Sequence, residues 1–96
     1  MSQKNKTKLN KLRKKLDRLD YQLLKAIKKR TEIIKKVIKL KSYKNEIVDK
    51  KRISTILKKI KKESLKRNID PKITKRIWKN MIWSYIDFEK RNFKKK

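Results

Sequence analysis

The chain has 96 residues, with 35 Lys and Arg against nine Asp and Glu, a formal charge of +26, no Cys, no His, no Gly and a single Pro. Without Cys and His it offers neither disulfides nor thiolate or imidazole metal ligands, and the commonest general base is missing. No apolar run approaches the roughly 20 residues that span a bilayer, and nothing at the start reads as a secretory signal, so one cytoplasmic domain is expected, with no metal and no cofactor.

The first predicted element is a long helix. Its apolar residues step by three and four through Leu9, Leu12, Leu16, Leu19, Leu23, Ile27, Ile34 and Val37. Two cations, Arg30 and Lys41, fall on the same stripe. Over about 33 residues such a helix is about 50 Å long. "SYKNEI" then loses the period and reads as a loop. Asp49 is placed to cap a second helix carrying Ile53, Ile56, Leu57 and Ile60. In "NIDPK", Asp70 as N-cap and Pro71 in the first helical position open a third helix. That helix carries Ile73, Ile77, Met81, Tyr85 and Phe88, with Trp78, Ile82, Ile86 and Phe93 widening the face. The tail "KRNFKKK" reads as frayed.

The fold class is therefore all-α: three helices, one long and two shorter. A long amphipathic rod cannot shield its stripe with two short helices alone, so an intertwined homodimer is the expected assembly. One domain covers residues 1–96, with a core from about 9 to 93 and Lys-rich ends.

Charge is the next question. Of the 35 cations 28 are Lys, and Lys, Ile and Asn together fill about half the chain, a composition that AT-rich codons supply. Most lysines then form a solvated face. The seven Arg carry more information, because a Lys-biased chain keeps Arg where its planar fork is needed. Arg30 and Lys41 lie about 16 Å apart on one face. A lone Lys near a helix end can snorkel to water, but Arg30 in mid-helix has apolar neighbours on either side. Arg52 opens the second helix, Glu89 sits between Ile82, Ile86 and Phe93, and Arg13 borders the stripe. Several cations and one carboxylate facing an apolar interior point to a pocket for a small, multiply charged anion. Arg13 and Arg30 are about 25 Å apart along one helix, so both reach one ligand only if an antiparallel second copy brings its own Arg13 across.

"KLRKKLDRLDYQLLKAIKKR", "KLK", "IVDKKR" and "MIWSYIDFEKRNF" resemble the small all-helical chorismate mutases, over about residues 9 to 93. The resemblance implies an intertwined dimer of three-helix chains that rearranges chorismate to prephenate in phenylalanine and tyrosine biosynthesis, with no cofactor. It implies that Arg30 and a second copy's Arg13 hold the two carboxylates of the substrate. Lys41 would contact a carboxylate and the ether oxygen, and Glu89 would face that oxygen. Asp49 and Arg52 fall on the family's "DxxR", near the ring hydroxyl. Tyr85 stands where a small polar residue is usual, one turn before Glu89.

Glu89 can donate a hydrogen bond to the ether oxygen only when protonated. Burial favours the protonated form, nearby Arg30 and Lys41 the carboxylate. The family role requires the first effect to win, so turnover is expected to fall as pH rises through neutrality. The bland reading of Glu89 is a surface carboxylate paired with Lys90 or Arg91.

Two other activities stay open. Ile53 replaces a Glu common after "DxxR", and with the "WxYI"-like third helix it resembles the related isochorismate pyruvate lyases, which form salicylate. From another class, a basic helical nucleic-acid-binding protein has the charge but no glycine-containing turn and no evident recognition helix. Nonspecific, salt-sensitive nucleic-acid binding is expected whatever the function.

Overall fold

The computed structural model describes residues 1–94. Three α-helices follow one another: α1 (Gln3–Leu40), α2 (Lys50–Lys66) and α3 (Pro71–Asn92), with a short 3-10 turn at Lys44–Glu46 between the first two. Among the described residues there is no strand. No described helix is long and apolar enough to cross a membrane.

The chain forms two compact units, residues 1–33 and the residues from Ile34 onward. The first is helix alone. Ser2 caps it, its Oγ accepting from the Asn5 N–H at 3.2 Å. Along it Leu12, Leu16, Leu19, Leu23 and Ile27 of the stripe read from the sequence are between 45% and 59% exposed within one chain, while Leu9 is half-buried.

The second unit holds the core. Ile47 from the inter-helix loop meets Ile82 and Ile86 of α3, with Val48, Ile53, Ile56, Leu57 and Phe93 packed around them. Asp49 caps α2 by accepting from the Arg52 N–H at 2.9 Å, and Asp70 caps α3 by accepting from the Lys72 N–H at 2.9 Å. Pro71 takes the first position of α3, where its missing N–H is not needed.

The end of α2 is a Schellman turn. The Ile69 N–H donates to the Ser64 carbonyl and the Asn68 N–H to that of Leu65, with Asn68 in the left-handed region at φ 55°. Asn takes the place where glycine is commonest, in a chain that has no glycine.

Two expectations shift. The buried line of α3 is Thr74, Ile82, Ile86 and Glu89, whereas Ile73 and Ile77 are more than half exposed. Thr74 goes inward because its hydroxyl lies 2.7 Å from that of Ser64, itself bonded to the Ile60 carbonyl. The pair satisfies two polar groups that apolar stepping alone would leave outside. The helix also runs further into "KRNFKKK" than expected, to Asn92. Arg91 pairs with Asp87, and the Asn92 side chain donates to the Phe88 carbonyl. The last two lysines of that tail lie outside the described residues.

Candidate functional site

The site is built where α1 ends. The Lys41 N–H donates to the Ile38 carbonyl at 3.2 Å, closing the last turn, and Ile38 is buried. From there the Lys41 ammonium reaches α3, with Nζ 3.0 Å from Glu89 Oε1. Glu89 is only 5% exposed as a residue, on the same helical face as Ile82 and Ile86. The surface pairings open to it in the sequence are not made. Arg91 goes to Asp87 instead, through Nε at 2.9 Å.

Taking both charges out of water is costly unless they meet. An ammonium carries three N–H donors, of which Glu89 engages one, so the pair can hold a further acceptor. A desolvated Lys paired with a carboxylate suits an anion or an ether oxygen that gains negative charge.

The loop that follows Lys41 is fixed by Glu46. Its Oε1 accepts from the Tyr43 N–H at 2.8 Å and the Ser42 N–H at 3.2 Å. Sequence reasoning gives Glu46 no role. The signal is a carboxylate three residues after Tyr43, the spacing of a capping box.

The other expected residues divide between the units. Asp49 and Arg52 meet through the cap of α2, a contact of the Arg52 backbone, while the Arg52 side chain is exposed. The "DxxR" spacing thus has a structural cause of its own. Tyr85 is half-buried and meets Phe88 edge to face, ring centres 6.5 Å apart. In the first unit Arg13 is exposed. Arg30 is half-buried, with its Nε screened from solvent. A groove of about 860 Å³ between α2 and α3 is lined by Val48, Ile53, Leu57, Ile60 and Trp83 among others, and by none of the expected site residues. Its lining is largely aliphatic, with Trp83, several Lys and the polar Ser54, Asp70 and Thr74, and it lies apart from the Lys41–Glu89 pair.

A Lys at the end of a long first helix thus faces a buried Glu on the third. The family model described as chorismate mutase type II matches residues 12–90. The chain belongs to that family. Neither a curated protein nor a solved structure matches it. The matched span of this chorismate mutase type II domain takes in Arg13, Arg30, Lys41, Asp49, Arg52, Tyr85 and Glu89, and membership supports a chorismate mutase-type activity on a small molecule.

Proposed function

We propose that the protein is a cytoplasmic chorismate mutase that converts chorismate to prephenate, for phenylalanine and tyrosine synthesis, as a homodimer. The observation that carries this reading is the partly buried Lys41–Glu89 pair at 3.0 Å, within a chain of this family.

The reaction is an intramolecular rearrangement in which one ether C–O bond breaks as one C–C bond forms, with no atom gained or lost. The protein's first task is to hold a flexible dianion in its compact reactive shape, a proximity effect. Arg30 and Arg13 from a second copy take the two carboxylates. The second task is to stabilise charge growing on the ether oxygen. Lys41 donates to that oxygen while Glu89, in contact with its ammonium, fixes the direction in which it points. Asp49, Arg52 and Tyr85 line the ring end of the substrate. The half-exposed leucines of α1 support the dimer, since a second copy covers them and brings Arg13 with it.

Isochorismate pyruvate lyase is the second reading, and Ile53 is its reason. Ile53 packs against the Ile47, Ile82 and Ile86 cluster, so its apolar character has a packing cause and weighs less for the lyase. Incubation with chorismate and, separately, isochorismate, followed by NMR, tests both. Prephenate formed at enzymatic rates and lost in Arg30→Ala is the expected result. Salicylate and pyruvate from isochorismate, with little prephenate, would make the protein a lyase. Inertness toward both, with a tight nucleic-acid complex surviving physiological salt, would move the function to that polyanion.

A further inference from the structure

We propose that Glu46 is a positioning residue for Lys41, an inference that rests on the proposed mutase reading for its effect on turnover. Lys41 is the last residue whose N–H bonds back into α1, through the Ile38 carbonyl. The next two N–H groups, of Ser42 and Tyr43, have left the helix. Both are gathered by one atom, Glu46 Oε1, at 3.2 and 2.8 Å. The chain between the two ends of this clamp is closed by the Glu46 N–H on the Tyr43 carbonyl at 3.1 Å and the Ile47 N–H on the Lys44 carbonyl at 3.2 Å.

Ile47 then enters the core at 3% exposure, against Ile82 and Ile86 of α3. Ile86 is one turn before Glu89 on that helix. The loop that starts at Lys41 is therefore tied at its far end to the helix face that carries the partner of Lys41. A lysine has a long, flexible stem, so where its ammonium sits depends on how firmly its root is held. With the carboxylate of Glu46 removed, Ser42 and Tyr43 turn to water, and the backbone at Lys41 gains freedom. Small misplacements of a reacting group are costly in rate.

The test compares Glu46→Ala with Glu46→Gln in the full-length protein, measuring kcat and KM for chorismate. The Ala variant is expected to lose about tenfold or more in kcat with a smaller change in KM. The Gln variant, whose amide oxygen still accepts from both N–H groups, is expected within about threefold of wild type. In a Lys41→Met background, Glu46→Ala should lower kcat no further. A Glu46→Ala variant with undiminished kcat, or a Gln variant as impaired as Ala, would overturn the proposal.

If the wild-type protein turns over neither chorismate nor isochorismate, the mutase reading fails separately. Thermal unfolding of Glu46→Ala, Lys41→Met and the double variant then decides. Effects that fall short of adding support the clamp acting through Lys41, and strictly additive effects reject it.

Discussion

Lys41 and Glu89 meet at 3.0 Å but are unequally hidden: the lysine side chain is 20% exposed and the glutamate side chain 7%. Removing one partner has different consequences at the two ends. Lys41→Met leaves a carboxylate deep in the fold without its cation, whereas Glu89→Ala leaves an ammonium that can turn toward water. We expect Lys41→Met to cost about 2–4 kcal/mol, below the top of the range for a fully buried pair, and Glu89→Ala about half as much. Thermal unfolding of the two variants checks the order. Equal losses would mean that the burial difference does not govern the pair.

The Ser64–Thr74 hydroxyl contact at 2.7 Å joins α2 to α3 where both residues are buried. Ser64→Ala and Thr74→Val should each cost about 1 kcal/mol, because each removes the hydroxyl contact between the helices while the remaining hydroxyl keeps only a carbonyl of its own helix, that of Ile60 for Ser64 and that of Pro71 for Thr74. The double variant should cost clearly less than the sum, with a coupling on the order of 1 kcal/mol. Denaturant unfolding of the three variants gives the coupling, and additivity would sink the assignment.

Asn68 holds a left-handed backbone at φ 55°. Glycine adopts that region without steric cost, so Asn68→Gly should raise stability slightly, by about 0.5 kcal/mol at most, whereas Asn68→Ala should lower it by about 1 kcal/mol. The melting temperatures of the two variants should move in opposite directions.

The hydrogen bond from Arg67 holds the Glu63 carboxyl below its ordinary value, helped by the charge of Lys66. A carboxyl whose folded pKa is depressed contributes stability that is present above its unfolded pKa and is lost as pH falls through the folded one. Arg67 is exposed and Glu63 half-exposed at the surface, so the contribution is small and screened by salt. An NMR titration of Glu63 in low salt should show its midpoint below that of a free glutamate, and Arg67→Gln should bring it back up.

Much of this was legible in the chain. Asp49, Asp70 and Pro71 announce helix starts by local chemistry that needs no tertiary partner, and both caps form as spaced. The stripe of α1 is equally local. Apolar counting fails at Thr74 and Ile73, because what buries a threonine is a second hydroxyl ten residues earlier in the chain. Ile47 is opaque for a related reason: in "SYKNEI" it has no periodic neighbours, yet it is among the most hidden residues. For the site, the cation at 41 and the carboxylate at 89 can each be singled out by their apolar flanks. Their contact depends on how the inter-helix loop returns, which no helical period encodes.

A polypeptide spelled so largely in lysine and isoleucine has an addressing problem. One turn of α2 looks much like the next. Such a surface could slip by a turn along α3 and still lay aliphatic carbon on aliphatic carbon. The Ser64 and Thr74 hydroxyls act as an index mark on that scale, because slippage would leave both against hydrocarbon. In so small an alphabet, two oxygen atoms tell α3 where along its neighbour to stop, and so how far along the molecule Glu89 is delivered.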